Sequence, residues 1–163
     1  MTRGRFACYG NDNMTQTALW GLPDPETKSE FYADVASKRL IAWIVDTIVI
    51  VLICALIVPF TAFTALFFLP FLGLVVSLIY RIVTLAGRSA TPGMRLVALE
   101  FRCHDGRRFD LPMAALHTLG YTVSMAMVFP QVISIILMLT SARGQGLSDM
   151  VLGTAALNRA AGH

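Results

Sequence analysis

Charge is what this sequence has least of. Only 14% of its 163 residues are Asp, Glu, Lys or Arg, against about 25% in a typical soluble domain. Hydrophobic residues reach 56% and mean hydropathy is +0.66. So few charged side chains cannot cover a water-exposed globule of this size, which excludes a soluble enzyme; so apolar a chain also excludes a disordered one. Cysteine is scarce. Cys8, Cys54 and Cys103 share no C-x-x-C spacing, so no disulfide scaffold, zinc knuckle or thioredoxin-type site is expected, and each is read as an isolated thiol. There is no Walker loop, no G-x-S-x-G and no H-E-x-x-H. Without a visible nucleophile–base pair, the reading is of a protein that is not an enzyme and holds no metal or cofactor.

What the chain does have is long hydrophobic runs. From Leu40 to Tyr80 there are 41 residues and one charge, Asp46. A membrane span takes about 20 residues at 1.5 Å rise, so this run suits a helical hairpin with spans near 40–58 and 64–83. Pro59 is the natural break, because it cannot donate a helical hydrogen bond. Residues 1–36 are polar and rich in turn formers, with no apolar core for a signal peptide; they read as a flexible cytoplasmic tail, with Met14 as a second candidate start. Residues 37–158 form the membrane domain and 159–163 a short tail.

The excess of positive charge lies in one loop. Residues 81–110 hold six arginines against three acids, beside apolar runs, which is the pattern of the positive-inside rule. It puts both open ends of the hairpin, and the N-terminus, in the cytoplasm of a bacterial inner membrane. Arginines about seven residues apart without interleaved aromatics do not make a nucleic-acid face; anionic lipid headgroups are the expected partners of this loop. Within it, Leu96–Cys103 is β-prone, His104-Asp105-Gly106 is a turn, and Arg107–Phe109 returns, which predicts a short cytoplasmic β-hairpin.

Residues 111–140 are too many for one upright span and too few for two. One reading caps a helix with Asp110, lays 113–119 at the interface and runs a third span over 121–140, kinked at Pro130. The other makes 111–140 a re-entrant hairpin turning at Pro130-Gln131, which returns the C-terminus to the cytoplasm. The expected fold class is therefore an all-α membrane protein: a helical hairpin, a third Pro-kinked or re-entrant segment, and a short β-hairpin loop.

Asp46 stands out chemically. It lies about 9 Å inside the first span by helix rise, where an ionised carboxylate costs about 1–3 kcal/mol and has to find a partner, water or a proton. Arg39 is two turns back on the same face; Arg81, Arg88, Arg95 and His117 are other candidate partners. Asp149 is either a second embedded carboxylate or an acid in the first turn of a short helix. His117 reads as an interfacial residue. Ser77, Tyr80, Thr122 and Ser124 are candidates for a polar seam between helices.

Three segments carry a family resemblance. Lys38-Arg39-Leu40-Ile41-Ala42-Trp43-Ile44-Val45-Asp46 resembles the opening of the RDD family of bacterial membrane proteins, named for one arginine and two aspartates. Thr91-Pro92-Gly93-Met94-Arg95-Leu96, followed by Asp105-Gly106, resembles its T-P-G-K-R-L loop, with Met94 where lysine is common. Leu147-Ser148-Asp149-Met150-Val151-Leu152-Gly153-Thr154 resembles its closing L-x-D-x-x-x-G-T segment, with Ser148 where histidine is common. The similarity runs in order over about residues 36–158. It implies that Arg39, Asp46 and Asp149 are the named triad and that Thr91, Pro92, Gly93 and Arg95 are the loop motif. It also implies transport of ions or small solutes, which has been suggested for the family. Three short spans cannot enclose a pathway alone, so that function requires a homo-oligomer or a membrane partner. The alternative is a non-transporting accessory or scaffold protein whose buried charges are structural.

Overall fold

The computed structural model describes residues 21–61 and 64–159. The tail before residue 21, with Cys8 and Met14, and the end after 159 lie outside them. Residues 21–36 are packed rather than free: Leu22 and Tyr32 are buried against Ala155 and Leu157, with Phe31 at the edge. Their apolar side chains find a sheet surface to cover, which the polar composition around them hides.

Helix α1, Val35–Phe60, is 26 residues long, about 39 Å, enough for a hydrocarbon core of about 30 Å. It starts before the expected span and carries Pro59 within its last turn. After a short 3-10 turn at Thr64–Phe68, α2 spans Leu69–Arg88 with Pro70 in its first turn, where the missing N–H would be unsatisfied anyway. Among the described residues these are the two single helices long and apolar enough to cross a membrane. Large apolar side chains such as Leu52, Leu56, Phe71 and Val83 point outward, as lipid-facing surfaces do.

The polar loop folds into a cap at one end of the helices. It comprises α3 (Pro92–Leu96) and β1 (Leu99–Cys103). The Asp105-Gly106 turn is present: Gly106 has φ +79° and its N–H donates to the Cys103 carbonyl at 2.8 Å. The β-hairpin expected there does not form. Arg107 folds back on Asp105, and Phe109 turns into the core, stacked on Phe101 at 5.3 Å with its N–H bound to Ser89 Oγ. The return leg keeps one backbone bond to β1, from the Cys103 N–H to the Arg107 carbonyl at 3.0 Å, and parts from the strand after it. The partner of β1 is instead β2, Thr154–Asn158, antiparallel from Leu99↔Asn158 to Cys103↔Thr154. The protein is thus mostly helical with one two-stranded sheet. Cys54 is free and buried on α1, whereas Cys103 is paired rather than a free thiol.

Residues 111–140 form two legs. Helix α4, Leu111–Ala126, begins with Asp110 accepting from the Met113 N–H at 3.0 Å. The chain extends at Met127, and α5, Val128–Thr140, leaves at 115° to α4. The place of the break differs from both sequence readings, which put it at Pro130. The break falls three residues before Pro130, which occupies the first turn of α5, where proline disturbs nothing; no unbroken helix runs over 121–140. The legs are about 24 and 20 Å long, each short of a full crossing. After α5, helix α6 (Leu147–Leu152) and β2 return to the start of α1, where Lys38 Nζ donates to Asn158 Oδ1 at 2.8 Å.

That return predicts the topology. Reporters fused before Met1 and after His163 will read the same side of the membrane; opposite sides would mean that α4 and α5 together make one crossing and that the β1–β2 pairing does not form.

Candidate functional site

The triad residues fall into two separate clusters. Asp46 is only 1% exposed, although it sits on a membrane-length helix. Its Oδ1 accepts from Tyr80 Oη at 2.7 Å and from the Gly93 N–H at 2.9 Å, and its Oδ2 accepts from Thr91 Oγ1 at 2.5 Å. Thr91 in turn caps α3 by accepting the Met94 N–H at 3.2 Å. The Thr-Pro-Gly motif is explained by this contact. Threonine supplies a hydroxyl at the cap, proline starts the helix, and glycine lets the backbone reach the carboxylate: a Cβ on Gly93 would lie 2.3 Å from the Ala42 carbonyl oxygen and 2.8 Å from Asp46 Oδ1. No cation contacts Asp46 among the described residues.

Asp149 is the second centre, also 1% exposed. Its Oδ2 meets Arg39 Nη1 at 2.6 Å and accepts the Gly146 N–H at 3.0 Å; its Oδ1 meets His117 Nε2 at 2.7 Å and accepts from Thr154 Oγ1 at 3.1 Å. The site therefore joins α1, α4, α6 and β2. Arg39 lies with its guanidinium carbon 5.0 Å from the Phe101 ring centre, and the His117 ring is 4.5 Å from Phe101 and 5.5 Å from Phe109. Burial pushes the Asp149 carboxyl up, but the Arg39 charge and the His117 hydrogen bond outweigh it and hold the group well below its ordinary value of 3.8. A depressed folded-state pKa contributes stability that is present above the ordinary carboxylate range and lost as pH falls below it.

The structure brings Arg39 and Asp149 together and leaves Asp46 with hydroxyls and an amide, so Arg39 is not the partner of Asp46. Of the other candidates, Arg81 stacks on Tyr121 with its guanidinium carbon 4.5 Å from the ring centre, while the Tyr121 hydroxyl accepts from Trp43 Nε1 at 2.8 Å. Arg88 and Arg95 are exposed. Sequence reasoning placed His117 at the interface, yet it is buried on Asp149. A histidine on the second turn of α4 carried no signal for that. Gly146 and Thr154 were missed too, though an acid three residues after a helix start is the usual acceptor for the N-cap amide. Tyr80 and Ser124, considered for a polar seam, part company: Tyr80 joins Asp46, and Ser124 reaches Gln131 Oε1 across the α4–α5 break at 3.4 Å. Among the described residues no group of three His, Cys, Asp or Glu side chains could hold a metal ion.

Two apolar membrane-length helices, a broken helix pair and a polar cap fixed by buried carboxylates define a helical membrane protein. A family model for the RDD family matches residues 33–153, and the chain belongs to that family. No curated protein and no solved structure matches the chain.

Proposed function

We propose that this RDD-family chain is a component of an ion or small-solute transport assembly in the bacterial inner membrane, with both termini cytoplasmic and Asp46 as the group that changes charge. One observation supports this above the others: a carboxylate only 1% exposed on a membrane-length helix, without a cation in contact among the described residues. Carboxylates embedded in this way mark ion pathways in membrane carriers. The partners suit both states. The Tyr80 and Thr91 hydroxyls donate to the anion and can rotate to accept from the acid, whereas only the Gly93 N–H is a fixed donor. Thr91 also caps α3, so the carboxylate is tied directly to the seat of the loop on α1. Two crossings and a bent pair enclose no passage in one copy, so the pathway lies between copies or with a membrane partner.

A second reading has its own support. Asp46 accepts three hydrogen bonds and Asp149 four contacts, which is how purely structural carboxylates are satisfied, and an accessory or scaffold protein would need no more. Asp46→Asn separates the two. Asn keeps an acceptor for Gly93 and Tyr80 at the Oδ1 position and presents its NH2 to Thr91, whose hydroxyl can turn to accept, but it cannot exchange a proton. Expressed in a host lacking its own copy, the variant is expected to accumulate and insert like wild type while losing ion-dependent growth under salt stress. Wild-type growth, or failure to accumulate, would move the balance to the structural reading.

A further inference from the structure

A second polar site lies away from both aspartates, beside the two-stranded sheet. Leu22, Phe31 and Leu157 contribute apolar walls to a cleft of about 400 Å³, which Arg102, Arg108, Arg159 and the carboxylate of Glu100 also line. Arg102 is already engaged: its Nε and Nη2 donate to Glu100 Oε1 at 2.8 and 2.6 Å, and its Nη1 to the Gly106 carbonyl at 3.1 Å. Its charge and that of Glu100 cancel. Arg108 and Arg159 are exposed and make no ion pair or side-chain hydrogen bond among the described residues. Two positive charges from separate segments thus line one partly apolar cleft, with no side-chain partner among the described residues.

The cleft is built rather than incidental. Asn158 ties its wall to the start of α1, donating to the Glu30 and Ala33 carbonyls at 2.9 and 2.8 Å and accepting from Lys38. Its volume falls in the range of about 300–1,000 Å³ typical of small-molecule sites, several times what a bare inorganic anion needs. The cations are arginines, in a chain with only two lysines, Lys28 and Lys38; a guanidinium fork matches phosphate oxygens two at a time, as an ammonium cannot. We propose that this cleft binds a phosphate ester, with Arg108 and Arg159 on the phosphate and the ester body against Leu22, Phe31 and Leu157. The sources are an anionic phospholipid headgroup or a soluble organic phosphate. The proposal does not depend on the role of Asp46.

The test uses the full-length protein in detergent. Native mass spectrometry reads retention of phosphatidylglycerol over phosphatidylcholine, and the thermal midpoint reads binding of sn-glycerol 3-phosphate. R108Q/R159Q is expected to weaken binding roughly tenfold or more, since it removes two charge-assisted pairs, while R88Q, outside the cleft, leaves it unchanged. Preference for phosphatidylglycerol without a response to glycerol phosphate assigns the headgroup; a response to glycerol phosphate assigns a soluble ester. If neither probe binds, or if R88Q weakens binding as much as the double variant, the proposal is wrong. Should R108Q/R159Q fail to fold, R108K/R159K keeps the charge and loses the fork, and binding equal to wild type would count against the site.

Discussion

An Asp149→Asn chain will unfold at markedly lower denaturant than wild type, with a loss of about 3–5 kcal/mol, the usual cost of removing one partner from a buried ion pair. The large effect comes from what is left behind. Arg39 is only 12% exposed on its side chain, and its Nε and Nη2 already lack hydrogen-bond partners. With its oxygen at the Oδ2 position asparagine still accepts from Gly146 and Arg39, and its amide NH2 faces His117 Nε2 and Thr154 Oγ1, each of which can accept; what disappears is the charge that compensates Arg39. The same reasoning predicts a rescue. Arg39→Met combined with Asp149→Leu removes both charges and replaces them with apolar volume, so the double variant should recover most of the loss. Denaturant titration of the purified chain in mild detergent, followed by helical circular dichroism, reads both. A loss under about 1 kcal/mol for Asp149→Asn, the level of an exposed pair, would contradict a buried ion pair. Acidification offers an independent check. Because the carboxyl is held below 3.8 in the folded state, wild type should lose stability as pH drops below that value, and the variant should lose less.

Gly93→Ala will dislodge the α3 loop from α1 and cost at least the 1–3 kcal/mol typical of overpacking. The added methyl meets a backbone carbonyl, that of Ala42, at 2.3 Å, and a helix backbone cannot swing aside as a flexible side chain does. Moving α3 outward would stretch two of the three hydrogen bonds to Asp46, those from Gly93 and Thr91, and leave a buried carboxylate with fewer donors. Gly73→Ala and Gly87→Ala in α2 are the controls: a Cβ at either meets nothing within 4 Å, and both should behave like wild type. Accumulation in the membrane and the thermal midpoint in detergent separate the three variants. Equal behaviour would show that Gly93 is not in contact with α1.

The amino-acid sequence by itself determined that α1 and α2 are membrane helices, because forty consecutive residues with one charge leave the backbone no other solution in lipid. It also determined the start of α4, since Asp110 and Pro112 act on their own backbone, and the turn at Gly106, which needs a positive φ. These are local effects, carried by neighbours in the chain. Only the tertiary structure decided the partners of the charges. Arg39 and Asp149 are 110 residues apart, and nothing in the spacing says that α6 comes back to α1. Asp46 and Arg39 look paired on a helical wheel, yet one faces α3 and the other the sheet. The break at Met127, ahead of the more obvious Pro130, and the pairing of β1 with β2 rather than with its own return leg are of the same kind. Each depends on which buried surface a segment can cover, Phe109 on Phe101 or Leu22 on Leu157, and burial is a property of the assembled fold that no local pattern records.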